Sequence, residues 1–461
     1  MLVRLLRFLS SAATYQFNKM HLRTNYIYVL ISIALLNSQI ASAQEYSNNI
    51  QNNYIVDIIL STKLTTQQKG KIKELTSKYF FLPDSSSRQE VLMIDIFSRP
   101  KADSINTAKN RFIWNELHDE YLLGYQAKVK TNFHQYPIVS TPYPLNQIPD
   151  NLKKYTVFDY IIDNNESVDQ LTKQLIRCEN ELFTVVFKIG DWISKNIKYI
   201  KNGYHGVKRA SEVYNTKNGD CDDLSVLFLS MLRSCQIPSR LVSGIAKGTD
   251  NFGYHAWIEV YFEGVGWVPF DVTSGGFGYL NNYHIKLNHH NSIPHMLLTQ
   301  WEFYPYFGDV QIKSQKLPDV SAKIIELKPH GIIPFEINVY PFKNTVGLNS
   351  YLPVVITSWN NTPYYTSNNI YIREITGIEI IGGLKHLLDY APYEKKELKL
   401  MLKLNKTKQE NEKYSSVLMV YDQFGKMDST NIYFTPFGKR ISLKNGSEIL
   451  DTLSTEFLPN N

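Results

Sequence analysis

Three cysteines in 461 residues, Cys178, Cys221 and Cys235, are too few for an exported scaffold stapled by disulfides, and an odd number leaves at least one thiol unpaired. No C-x-x-C pair and no Cys/His cluster has zinc spacing, so no metal site of that kind is expected. The chain lacks a D-x-D-x-D-G loop, which argues against calcium and predicts chemistry without an added metal or cofactor. No repeat of fixed period stands out. After the first 43 residues no apolar run is long enough to cross a membrane. A charge surplus is missing too. The formal net charge is +6, but Arg4, Arg7, Lys19 and Arg23 precede residue 44 with no acid among them, so the rest carries +2. That is no electrostatic footprint for nucleic acid, and no such partner is expected.

The length points to two to four structural units. A hydrophobic content of 43% with 20% charged residues is that of a globular protein. The 31 Tyr and 23 Phe suit β-rich architecture. Residues 26–36 (YIYVLISIALL) follow His21 and Arg23 and precede Ala41-Ser42-Ala43, a small-x-small cleavage pattern. We read 1–43 as a signal peptide, with export to the medium or the cell envelope. An uncleaved anchor is the alternative, although the run falls short of the roughly 20 apolar residues a span requires.

Residues 44–140 predict a small β-rich domain, with strands at 91–96 (VLMIDI) and 125–129 (YQAKV) and one short helix at 71–79. The proline-bearing stretch 136–149 marks a boundary. From 141 to 315 a catalytic core is expected. Its first helix has Ser167 as N-cap and Leu171, Leu175 and Ile176 at helical spacing. A second helix covers 182–197, a third follows Cys221, and strands fill 240–273. Runs at 335–340, 352–356 and 417–421 predict a β-sandwich-like domain over 320–461. The N-x-Ser/Thr sequons at Asn165, Asn360, Asn405 and Asn445 read as chance matches.

The informative stretch is 218–273. Asn218-Gly219-Asp220 is a turn signal, and Leu224, Leu227 and Met231 then give a helical apolar face, so Cys221 stands in a first turn. Free N–H groups and the positive end of the dipole gather there. A helix N-terminus beside a histidine draws a thiol from about 8.5 to about 3.5–7.5, and the same N–H groups hold an oxyanion. His255 lies on a strand with Trp257, Glu259 and Tyr261 on the same face. The next strand ends at Asp271, beyond a turn at Glu263-Gly264, where a carboxylate fixes the tautomer of the imidazole. Each residue has a plainer reading: cysteine as a small core hydrophobe, a structural histidine, an aspartate as a turn cap. Their conjunction in one chain order, each on the element its role needs, favours catalysis. Cys178 and Cys235 keep the structural reading.

The runs GDCDD at 219–223, IPSRLVSG at 237–244, YHAW at 254–257 and GWVPFD at 266–271 resemble the transglutaminase-like superfamily. Trp192-Ile193 through Ile197-Lys198-Tyr199 looks like the helix that precedes its nucleophile. The resemblance covers roughly residues 150–275. It implies an α+β fold with a papain-like core, flanked here by the N-terminal β-rich and C-terminal sandwich-like domains. It also implies Cys221 as nucleophile, His255 as base then acid, Asp271 as orienter and the Cys221 N–H as one oxyanion donor, the second donor staying open. A peptide or protein substrate, one of the cell envelope included, is the expected partner. Three classes compete: an amide hydrolase working through a thioester, a cross-linker with an amine acceptor, and a module that kept the fold without the chemistry. Intact triad positions argue against the third, and the demand of excluding water from a thioester favours hydrolysis.

Overall fold

A single strand of 27 residues, β1 (Asn53–Tyr79), organises the N-terminal unit. The computed structural model describes residues 53–79, 82–106, 111–201, 206–248, 251–290, 299–314, 319–328, 334–404 and 413–453; the predicted signal segment and Asn405 lie outside them. Next to β1 come β2 (Gln89–Arg99), β3 (Ser104–Asn106), β4 (Arg111–Trp114) and β5 (Glu120–Thr131), in the sheet order β2-β5-β1-β4-β3. Residues 71–79, expected as a helix, are the end of β1. Leu75 to Lys78 pair with β4, and Ile72, Leu75, Thr76 and Ser77 are buried. Pairing partners far along the chain overrode a weak local preference.

The helical part follows as α1 (Asp150–Lys153), α2 (Glu166–Leu175), α3 (Leu182–Asn196), α4 (Ala210–Thr216) and α5 (Cys221–Ser234). Asn165, not Ser167, caps α2, accepting from the N–H of Ser167 and Val168. Two short strands, β6 (Lys198–Tyr199) and β7 (Asn218–Gly219), pair in parallel, so the tail of the predicted helix is extended instead. This pairing ties the end of α3 to the turn before Cys221.

The core sheet is antiparallel, in the order β11-β10-β9-β8-β12. It comprises β8 (Ser239–Lys247), β9 (Phe252–Phe262), β10 (Gly266–Asp271), β11 (Gly276–Phe277) and β12 (His284–His290). Strand alternation sends Ala256, Ile258 and Val260 into one cluster with Val185, Val186 and Ile189 of α3 and Val226, Leu229 and Met231 of α5. Ile245, Phe252, Ile285 and Leu287 instead join the N-terminal cluster that holds Tyr54 and Tyr125. The core sheet thus packs helices on one side and the N-terminal sheet on the other, the layered arrangement of an α+β protein.

The chain then returns to the N-terminal unit. Strands β13 (Thr299–Ser314) and β14 (Asp319–Lys328) both pair antiparallel with β1. β13 falls within the expected 141–315 core, yet its backbone partners belong to the first sheet, a pairing between segments more than 200 residues apart that composition does not signal. The C-terminal part holds two sheets. One has the order β15-β17-β21-β19, from β15 (Phe335–Pro341), β17 (Tyr351–Asn360), β19 (Ile378–Ile381) and β21 (Lys395–Leu404). The other runs β16-β23-β22-β18-β20, from β16 (Thr345–Gly347), β18 (Thr366–Ile372), β20 (Lys385–Tyr390), β22 (Tyr414–Asp422) and β23 (Met427–Thr435). Inner-face residues such as Val354, Ile370, Leu402 and Val420 make one shared core, and α6 (Leu443–Thr452) closes the chain. Asn360 is fully buried, its amide donating to Tyr364 and Ala391, so this sequon is structural. Among the described residues no helix is long and apolar enough to cross a membrane.

Candidate active site

Cys221 is the first residue of α5, and Asp220 is the N-cap. The Asp220 carboxylate accepts from the N–H of Asp222 and Asp223 at 3.2 Å each, while Asp223 accepts from the N–H of Asp220 at 3.3 Å. This reciprocal box satisfies the second and third helical N–H groups and leaves that of Cys221 outside it. Gly219 is required just before: a Cβ there would stand 2.5 Å from that of Asp223. Lys208 neutralises Asp223, with its N–H 2.8 Å from one oxygen and its ammonium 3.6 Å from the other.

His255 lies on β9 opposite Gly244 of β8, where a Cβ would meet the Ile285 carbonyl at 2.3 Å and the Trp257 ring at 2.6 Å. The imidazole and the N–H of Ala256 both act on the Cys221 side chain and pull its thiol down. The Nε2 of His255 is 2.9 Å from Asp271 Oδ2. That engagement leaves Nδ1 as the ring nitrogen available to exchange a proton with the thiol. Strand pairing explains the convergence: Phe270 is opposite Ile258 across β10 and β9, so Asp271 comes level with Trp257 and is a diagonal neighbour of His255 on the same face. Asp271 is 1% exposed and Cys221 is partly exposed.

The structure adds a residue that no motif signalled. His284, at the start of β12, places its Nε2 3.2 Å from the same Asp271 Oδ2 and its Nδ1 2.7 Å from Asn281 Oδ1. The Asn281 oxygen also accepts from the N–H of Tyr283 at 3.1 Å, which fixes it as an acceptor. Asp271 further accepts from the N–H of Thr273 at 2.9 Å and from Ser274 Oγ at 2.7 Å. Four donors therefore converge on one buried carboxylate. His284 stands thirteen positions past Asp271 in an ordinary strand, and only the order β11-β10-β9-β8-β12 and the loop through Asn281 bring it back.

The electrostatics follow from burial and these partners. Burial raises the cost of ionising Asp271, but His255 and His284 outweigh it and hold the carboxyl well below its usual range. Burial opposes charge on His255, yet Asp271 beside it prevails and pushes the imidazole up to about 10. Burial pushes the Cys221 thiol up, with Asp222 adding to it, while His255 and the Ala256 N–H pull it back. The helix terminus alone thus does not produce the depressed thiol expected from position. Three aspartates crowd the same turn, and Asp222 is itself pushed up to about 7 by burial and by Asp220. Burial likewise lowers His284. The ionised Asp271 beside it works against that shift without overcoming it.

His255, Asp271 and His284 present ligand atoms within 4.8 Å of one another and could hold a metal ion. Such an ion would take Nε2 of His255 away from its carboxylate. The two other cysteines stand apart from this cluster. Cys178 is exposed in a turn with φ 67°, and Cys235 caps the far end of α5 against Tyr143.

Residues 169–272 match the family model described as the transglutaminase-like superfamily, and this stretch is a transglutaminase-like domain. Among curated proteins, the "uncharacterized protein YebA" of Bacillus subtilis is 28% identical over 170 residues, 32% of this chain and 21% of that protein. The match therefore spans about a fifth of that relative's length. Among solved structures, one from Cytophaga hutchinsonii, described as a candidate cysteine protease, covers 58% of this chain and 98% of its own at 17% identity and a TM-score of 0.43. The periplasmic domain of TgpA from Pseudomonas aeruginosa, bound to ethylmercury, covers 51% of this chain and 94% of its own, with 13% identity and a TM-score of 0.27.

Proposed function

We propose that the transglutaminase-like domain belongs to an exported cysteine enzyme that cleaves peptide or glutamine-type amide bonds through a thioester. The observation that carries this reading is the shared imidazole: His255 bonds the buried Asp271, 2.9 Å away, and is electrostatically coupled to Cys221. His255 takes the thiol proton, and the sulfur attacks the amide carbonyl. The resulting oxyanion is met by the Cys221 N–H that the capping box leaves outside its own bonds. His255 returns the proton to the leaving amine, and Asp271 stabilises the imidazolium in between. Water activated by His255 then hydrolyses the thioester. The substrate is a peptide or protein, in keeping with a signal peptide over 1–43 and export to the envelope or beyond. An N-terminal unit, a core and a sandwich-like C-terminal unit make up the rest, with 299–328 assigned to the first.

Mass spectrometry of Cys221 after exposure to a peptide library tests this, with and without a primary amine. The expected result is an acyl adduct on Cys221 that decays to free acid in either condition. A product carrying the amine would assign cross-linking in place of hydrolysis. Cys221→Ala should fold and lose turnover; an adduct that persists on Cys178 or Cys235 in that variant would sink the proposal.

A further inference from the structure

The face of β9 that carries His255 continues to Trp257 and then Glu259. Past Trp257, whose ring centroid is 6.0 Å from that of His255, the core sheet and the N-terminal unit enclose a cavity of about 440 Å³. Arg88, Tyr136, Arg240, Trp257, Glu259 and Lys286 are among its lining. Three cations thus share this lining with one carboxylate, and Arg88, Arg240 and Glu259 are each at most 9% exposed. Glu259 is fully engaged. Arg240 reaches one of its oxygens at 2.6 and 2.7 Å, and the Lys286 ammonium reaches both at 2.8 Å.

What remains unsatisfied in the wall has one polarity. Arg88 donates through one terminal nitrogen to the carbonyls of Leu280 and Asn281, while its Nε has no hydrogen-bond partner. Trp257 Nε1 has none either. Both are donors, and each costs free energy while it stays unpaired. Neighbouring imidazoles register the same positive field: His289 is pushed down to about 4 by burial and by Arg240 and Lys286, and His134 is lowered by burial and by Arg88. A neutral amide would satisfy the donors and leave the surplus of cations uncompensated. An anion does both.

We infer that this cavity binds a carboxylate of the peptide substrate, received by Arg88, Lys286 and the Trp257 indole. The role as a substrate subsite rests on the function proposed for Cys221. Four steps of extended strand lead from His255 to Glu259, about 13 Å at the usual rise. The acid should therefore lie about three or four residues from the attacked amide on an extended peptide.

The test uses full-length Cys221→Ala protein, so that binding is read without turnover. Two matched pools of acetylated hexapeptides are titrated by calorimetry. One pool carries Glu, Asp or a free C-terminal carboxylate; the other carries Gln, Asn or a C-terminal amide. The acidic pool should bind about tenfold or more tighter. Adding Arg88→Gln should erase that preference and leave affinity for the amide pool unchanged. Adding Lys286→Gln, which keeps Arg240 on Glu259, should narrow it severalfold. Equal binding of both pools would overturn the inference, as would variants that weaken both pools alike. Turnover of the unsubstituted protein is followed separately. Turnover without acidic preference sinks the subsite alone, and acidic preference without turnover sinks the enzymatic reading while keeping the site.

Discussion

Asp271 and Glu259 stand on one face of the core sheet, both almost wholly withdrawn from water, and differ in the kind of partner they hold. Asp271 is met by two imidazoles, at 2.9 and 3.2 Å. Glu259 is met by a guanidinium and an ammonium, at 2.6 and 2.8 Å. Permanent cations fix a charge, since arginine keeps its proton throughout the ordinary pH range and Glu259 is held below its usual value despite burial. An imidazole, unlike a guanidinium, gives up its proton within the ordinary pH range even where Asp271 raises it, so the Asp271 cluster can pass one to a neighbour and recover it. One end of the strand is an electrostatic fixture, and the other is equipped for proton transfer.

Substituting the two carboxylates is the strongest way to break this comparison. Asp271→Asn should lower kcat/KM for a cleaved peptide about 10³- to 10⁴-fold, because the ring loses its orienting charge. Glu259→Gln should spare most of the rate and cost about 3–5 kcal/mol in urea denaturation, since Arg240 and Lys286 are left facing each other without an anion. Equal losses of rate in both variants would mean that the two ends do not differ in role.

Stability against pH sharpens the contrast. His255, raised to about 10, contributes stability that is complete below its ordinary value near 6.5 and disappears as pH climbs through 10. Asp271 and Glu259, both lowered, contribute above the ordinary carboxylate range and lose that contribution as pH falls through their folded values. Urea midpoints should therefore drop between pH 7 and 10 in the parent and in Glu259→Gln. In His255→Gln that drop should shrink; an unchanged alkaline drop there would refute the assignment.

Smaller effects are expected from the supporting residues. His284→Gln should reduce kcat about 10- to 100-fold with KM held, because His284 acts through Asp271 and not on substrate. A variant with raised KM and normal kcat would remove it from the positioning network. Cys235→Ala, at the opposite end of α5 from the sulfur that matters, should keep full activity and cost about 1 kcal/mol in thermal or urea unfolding. Loss of activity there would move the nucleophile.

Cys221, His255 and Asp271 were legible in the sequence as candidates because each sits on the element its proposed role demands and the three lie within 51 positions in chain order. The strand runs at 91–96, 125–129, 335–340 and 417–421 were legible for a similar reason, since period-2 patterns and β-branched residues act locally. His284 was not, and neither was the fate of residues 71–79. The first depends on a loop that folds back over Asp271; the second depends on β4 and on β13, whose partners arrive from more than 200 residues away.

The sequence by itself determined the helix that presents the sulfur and the two strands that present imidazole and carboxylate, because capping and periodicity are short-range properties. Tertiary structure alone decided that four donors gather on Asp271 and that three cations line one cavity with a single acid beside Trp257. It also decided that burial and Asp222 raise the thiol which the helix terminus would otherwise lower. Desolvation and charge pairing depend on what the rest of the chain packs around a group, and no local pattern encodes that.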